Sequence, residues 1–367
     1  MRVLIVIKRF SGTIGKDAIL DNFGREIRIA EALKKKHKVT IIAGDHAKKE
    51  SFSKDMNGIK AVVAPFSISG IPEFIGRVKE HARQNDIVIG TTHPIFAMMA
   101  YLGRCKRKFV YDLRDNYETY DFANVPLLKG GLLGRFVMRR VNNFLIRKAD
   151  LAVCVSHSLM EKVSRLRKGK KTMVVENGVE KLFRPLSKAS CRKALRLPAK
   201  AKIITYIGHV SKERGTDLLI RAFLKIRARE KKAILLLSGK VDSEIRINKP
   251  GIKWMALPKR IEVVKAINAA DVAVLPQPLN ETSKYTFPYK LMEYMACNTP
   301  VVATAIGDVR RVLAERKHGL ANPNPDDLRV KILKSLKIRG ENYNNITKKY
   351  EWENLGEKYS LALEMIR

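Results

Sequence analysis

The chain has 367 residues, of which 72 are Lys or Arg and 36 are Asp or Glu, for a net charge of +36 with 46% hydrophobic composition. That length favours two domains over one, and the composition excludes a disordered, collagenous or disulfide-scaffold chain. Cys105, Cys154, Cys191 and Cys297 carry no ligand spacing, no apolar run approaches the roughly 18 residues of a membrane span, and nothing reads as a signal peptide, so a cytoplasmic protein is expected.

In chain order, short β-branched runs alternate with stretches of helical period, which predicts βα units around parallel sheets. Strands are expected at 3–7, 38–42, 61–65, 86–89, 108–111, 151–155 and 172–175, and the pattern restarts with 203–207, 233–237, 252–255, 272–275 and 300–303. A helix is expected over 25–36, with Ile27, Ile29, Ala30 and Leu33 on one face, and 217–229 repeats that design. From 126 to 148, six basic residues occur without one acid, and Leu133, Phe136, Val137, Val141, Phe144 and Leu145 follow helical spacing. That segment reads as a basic amphipathic helix that either rests on anionic lipid or packs on its own domain. The boundary falls near 185, between α/β domains of similar size at 1–184 and 185–345.

In open parallel sheets, ligands bind beyond the carboxyl ends of the strands. Polar and Gly-rich clusters stand at those places, at 11–15, 91–94, 114–116, 208–215 and 280–290, so two rims facing each other across a cleft are expected. Gly12 and Gly15 permit close backbone approach to a ligand or simply make a tight turn; neither GxGxxG nor a P-loop is present. His209, Lys212 and Arg214 share one loop that can offer cationic donors to a diphosphate, with plain surface charge as the alternative for Lys212. Glu293 interrupts the apolar face made by Leu291, Met292, Met295 and Ala296 in a helix opened by Pro288. A carboxylate there is costly unless paired, and a ribose diol would pair it; the alternative is an exposed Glu.

At these residues the chain resembles a known family. FPYKLMEYMACNTPVVATAIGDV is similar to the signature of GT-B glycosyltransferases of the family 4 type. KADLAVCVSHSL, VVENGVEKLFRP, IGHVSKERGTDLLIRAF, AADVAVLPQ and YEWENLGEKY match further family elements in order, so the resemblance spans the whole chain. It implies two Rossmann-like domains with a C-terminal helix, 346–367, returning to the N-terminal domain.

The resemblance also implies a nucleotide-sugar donor, UDP- or GDP-linked, as substrate with no separate cofactor and no metal; no DxD motif occurs. Glu293 would meet the ribose, Thr286, Phe287 and Pro288 the phosphates, and 255–258 the base. His209 stands where the family usually has Arg and Arg214 where it has Lys, so Lys212 or Lys290 would share the charge on the departing diphosphate. Tyr285 replaces the first carboxylate of the usual pair. Arg114 and Asp115 would contact the sugar or acceptor, with a capping Asp beside a surface Arg as the alternative. His93 is either an acceptor contact or a turn histidine satisfied by backbone.

The expected reaction is retaining transfer to a glycan or to a polyprenyl- or other lipid-linked acceptor, in surface polysaccharide or glycolipid synthesis, at the inner face of the cell membrane. Three other readings compete: a degenerate GT-B binding protein, an inverting enzyme with Asp115 as base, and a basic protein that binds nucleic acid. The last lacks any helix-turn-helix, RNP-like or zinc-finger signature.

Overall fold

A computed structural model describes residues 1–9, 17–46, 50–119, 131–338 and 340–367. The expected Gly12 and Gly15 turn and residues 126–130 of the basic segment lie outside the described residues.

The elements in chain order are β1 (Arg2–Lys8), α1 (Arg25–Leu33), β2 (Lys38–Asp45), β3 (Phe52–Asp55), β4 (Lys60–Pro65), α2 (Ile71–Arg83), β5 (Ile87–Gly90) and α3 (Pro94–Gly103). They continue with β6 (Lys108–Leu113), α4 (Leu132–Lys148), β7 (Leu151–Cys154), α5 (His157–Arg167), β8 (Thr172–Val174), α6 (Lys188–Ala194), β9 (Lys202–Ile207), α7 (Thr216–Arg229) and β10 (Ala233–Ser238). After them come β11 (Ile252–Trp254), α8 (Arg260–Ala269), β12 (Val272–Leu275), α9 (Glu281–Tyr285), α10 (Tyr289–Ala296) and β13 (Val301–Thr304). The chain ends with α11 (Asp308–Val312), β14 (Leu320–Ala321), α12 (Pro325–Ser335), α13 (Asn344–Thr347) and α14 (Trp352–Glu364). They form two compact units, one of residues 1–177 with 352–367, the other of 178–351.

The first unit holds a sheet in the order β3-β4-β2-β1-β5-β6-β7-β8, parallel throughout except for β3 against β4. Its central strands are buried on both faces, which is why they read as unbroken apolar runs: Val3 to Ile7 are at most 2% exposed. From β1 the chain builds outward through β2 and β4, then returns to place β5 on the other side of β1, so the topological switch lies between β1 and β5. The terminal α14 docks on α1 in this unit, with Gly356 so close to Ala32 that an added Cβ would stand 2.1 Å from the alanine Cβ. Lys36 pairs with Glu357 at 3.1 Å, and a ring nitrogen of His37 meets the Ser360 hydroxyl at 2.7 Å.

Helix α4 presents a different face to the core than its apolar spacing suggests. Gly134, Met138, Asn142, Leu145 and Ile146 are buried, while Leu133, Phe136 and Phe144 are exposed. The inward stripe includes an asparagine because Tyr111 donates its hydroxyl to Asn142 Oδ1 at 2.9 Å, so that polar group is satisfied inside.

The second unit holds a sheet in the order β11-β10-β9-β12-β13-β14, all parallel. Alternate side chains feed two cores. Leu235 and Leu237 pack with Leu219 and Phe223 of α7 and Leu328 and Ile332 of α12, whereas Ile203 and Leu236 pack with Cys191 of α6 and Ala266 and Ala269 of α8. Here the switch lies between β9 and β12.

Candidate functional site

In the second unit the site begins where β9 and β12 deliver their loops to the rim. Gly215 follows the Lys212–Arg214 turn in a left-handed conformation, φ 71°, and its α-carbon abuts the β12 loop so tightly that a Cβ would lie 1.8 Å from the Pro276 carbonyl oxygen. Ser211 caps the turn, its hydroxyl accepting from the Arg214 amide at 3.2 Å. This fixes the backbone of Arg214, a half-buried residue whose guanidinium has no hydrogen-bond or ion-pair partner among the described residues.

The neighbouring cations are differently disposed. His209 Nε2 is 2.6 Å from Asp242 Oδ1, and Lys212 Nζ is 3.2 Å from Glu244 Oε2, so both lean toward the loop after β10. That loop is zipped to the His209 segment: Val210 N donates to Lys240 O, and Asp242 N to Val210 O. The Lys290 side chain runs across Gly208, filling the space where a Cβ would stand, and its ammonium lies 5.7 Å from the Tyr206 ring centre.

Helix α10 is locked to the end of β9, because Ile207 N donates to the Tyr294 hydroxyl at 3.0 Å. Ahead of it, Thr286 donates its hydroxyl to Thr282 O, Phe287 lies 5.3 Å from Tyr350 ring to ring, and Pro288 caps the helix in an extended conformation. One turn in, Glu293 is 9% exposed and has a protein partner that no local pattern announces. Arg260 Nη2 donates to Glu293 Oε1 at 3.0 Å and to Glu180 Oε1 at 2.5 Å. Burial opposes the charge on Arg260, but the two carboxylates outweigh it and raise the guanidinium above its ordinary range.

At the rim of the first unit, Thr92 adopts φ 69°, uncommon for a residue with a β-branched side chain, and its hydroxyl accepts from Lys8 N at 2.7 Å, tying β1 to β5 across the switch. His93 caps α3, its Nδ1 accepting from Ile95 N at 3.3 Å. Burial, with Lys8 and His46 nearby, pushes the His93 imidazole down to about 4, so its ring is neutral near pH 7. Arg9, which the sequence pattern does not single out, is 3% exposed and bridges Asp17 and Asp45, each at 2.7 Å.

Arg114 and Asp115 follow β6, as their position after the strand implied, and lie 3.9 Å apart between Nε and Oδ2. Arg114 is anchored by Glu26 of α1 at 2.7 Å, below which the buried Arg25 donates to the carbonyls of Val175 and Glu176 and to Asp112. Burial raises the Asp112 carboxyl, only partly countered by Arg25. Among the described residues no group of three or more His, Cys, Asp or Glu is placed to hold a metal ion.

Comparison with known proteins bears on what these rims serve. The profile of Glycosyltransferase Family 4 matches residues 27–181, and that of Glycosyl transferases group 1 matches 201–337. A phosphatidylinositol N-acetylglucosaminyltransferase component from Arabidopsis thaliana is 23% identical over 354 residues, 90% of this chain and 75% of that protein. Sucrose-phosphate synthase of Thermosynechococcus elongatus superposes with a TM-score of 0.78 at 16% identity, over 100% of this chain and 99% of that one. HepE of Anabaena, solved in complex with UDP, superposes with a TM-score of 0.72 at 16% identity over the whole of both chains. The two parallel-sheet units are those of a GT-B architecture, and the chain belongs to the glycosyltransferases of group 1, family 4.

Proposed function

We propose that the chain moves a sugar from a UDP- or GDP-linked donor, seated at the rim of the second unit, to a lipid-linked or glycan acceptor, with retention of anomeric configuration and without a metal. The observation that carries this reading is the pairing on one rim of opposite, complementary groups. Among the described residues, Arg214 is a cation with no carboxylate partner, and Glu293 is a buried carboxylate with only Oε1 engaged. Together they suit the diphosphate and ribose of one nucleotide. Arg214 offers a planar fork of donors to the departing diphosphate, Lys290 reinforces it from α10, and His209 contributes when protonated. Thr286, Phe287 and Pro288 bring their backbone to the phosphates, and Lys212 supplies outlying charge.

Arg114, Asp115 and His93 serve the acceptor side. Asp115 beside Arg114 is held electrostatically for orientation of a hydroxyl, and His93, neutral near pH 7, is a further acceptor contact. HepE was solved with UDP, which supports a uridine donor, and the name of the Arabidopsis relative, a phosphatidylinositol glycosyltransferase component, supports a lipid acceptor in glycolipid or surface polysaccharide synthesis.

The acceptor reading extends to a membrane surface. Helix α4 carries no acid, exposes Leu132, Leu133, Phe136 and Phe144, and interleaves them with Arg135, Arg139, Arg140, Arg147 and Lys148. Its core stripe is separate, so this second face suits an anionic bilayer on the cytoplasmic side. No described helix is long and apolar enough to cross a membrane. The test is a donor panel of UDP- and GDP-sugars offered with phosphatidylinositol and polyprenyl phosphate acceptors, with and without EDTA. Product formation that resists EDTA and keeps the donor's anomeric configuration is the expected result. Hydrolysis or transfer with inversion, or activity abolished by EDTA and restored by a divalent cation, would overturn it.

A further inference from the structure

We propose that Arg260 is the positioning residue that presents Glu293 to the donor ribose, an inference that rests on the nucleotide-sugar reading of this rim. Arg260 opens α8 directly after the 255–258 segment, and three contacts fix its head. Nη2 donates to Glu293 of α10 at 3.0 Å and to Glu180 at 2.5 Å, and the guanidinium carbon lies 4.6 Å from the Phe183 ring centre, while Nε is buried with no hydrogen-bond partner among the described residues.

The consequence falls on Glu293. Its Oε1 is committed to Arg260, while Oε2 has no partner among the described residues. A buried carboxylate without counter-charge is costly, and a lone carboxylate on an otherwise apolar helix turn has several rotamers. Arg260 removes both difficulties. It supplies counter-charge, shared with Glu180, and pins one oxygen, so the other is held in place as an acceptor for ribose hydroxyl donors. An ion pair serving only the fold has no need to leave the second oxygen open. Arg260 therefore acts through Glu293 on recognition of the sugar hydroxyls, not on the phosphates.

The test is isothermal titration at matched ionic strength with UDP, 2′-deoxy-UDP and inorganic pyrophosphate against wild type, Arg260→Met and Glu293→Gln. Wild type is expected to favour UDP over the deoxy form by about tenfold. Arg260→Met should shrink that preference to about threefold or less while leaving pyrophosphate affinity within about twofold, and Glu293→Gln should shrink it likewise. Loss in Glu293→Gln with full preference kept in Arg260→Met would overturn the proposal and leave the ribose role of Glu293 standing. Absence of any preference in wild type, or its survival in Glu293→Gln, would instead remove that ribose role and the proposal with it. Should Arg260→Met fail to fold, Arg260→Gln carries the same test: a reduced preference supports the proposal and an intact one overturns it.

Discussion

Gly215 gives the sharpest structural test of the donor rim, because its substitution by alanine acts at the switch between β9 and β12. Two costs add. An L-residue in the left-handed region loses about 1–2 kcal/mol. The new Cβ would also start 1.8 Å from the Pro276 carbonyl oxygen, so the two loops must part by more than about 1 Å, an overpacking penalty of about 1–3 kcal/mol. The total of about 2–5 kcal/mol corresponds to a fall of about 4–20 °C in the melting of a unit this size. Gly340 is the internal control: it has φ 91° in the same unit, and a Cβ there meets nothing within 4 Å among the described residues, so Gly340→Ala bears the backbone cost alone. Calorimetric scans of both variants measure the difference directly, and transfer rates of Gly215→Ala should fall up to about 100-fold as the loop is displaced. Equal destabilisation by the two substitutions would refute the close approach of the loops, and undiminished transfer would refute its role in the site.

Three further outcomes are expected. The unfolded chain binds a proton at His93 near its ordinary pKa of 6.5 and the folded one only near about 4, so the stability this neutral ring contributes is complete above about 6.5 and is lost as pH falls toward 4, by about 3 kcal/mol in all. His93→Asn keeps a capping acceptor for α3 and removes the titration, so urea unfolding of the two proteins should show a stability difference that changes by that amount between pH 7 and 4; a pH-independent difference would contradict the assignment. In vesicle sedimentation, Leu133→Ser with Phe136→Ser should weaken binding to anionic vesicles at least about tenfold while leaving the melting temperature unchanged, since both side chains are already exposed. Asp242→Asn removes the carboxylate that holds His209 on the rim and should change UDP affinity at least about threefold in titrations at matched ionic strength; an unchanged affinity would show that this pair takes no part in binding.

Much of the fold is legible in the sequence because parallel strands covered on both faces are uniformly apolar, as in β1, β9 and β10. The strands that escape that reading are those without such cover. β3 alternates between half-buried and exposed residues at the sheet edge, and β14 is two residues long. In α4, counting apolar residues misplaces the inward face, since a glycine and a hydrogen-bonded asparagine lie on it while leucine and phenylalanine face outward. At the site, local spacing brings out Glu293, Arg214 and His209, yet it is silent on what holds them. Arg260, Asp242 and Glu26 reach Glu293, His209 and Arg114 from 33, 33 and 88 residues away. Such pairs are set by sheet topology, and a linear pattern carries no trace of them.

The central claim is that the rim of the second unit is a nucleotide-sugar site, and isothermal titration of UDP and GDP, beside ADP and CMP, tests it most directly. A protein of net charge +36 attracts any phosphate, so ionic strength must be matched throughout. The account predicts saturable binding of one molecule per chain, selective for UDP or GDP, weakened at least about tenfold in Arg214→Ala. Equal binding of all four nucleotides, unchanged by that substitution, would contradict it.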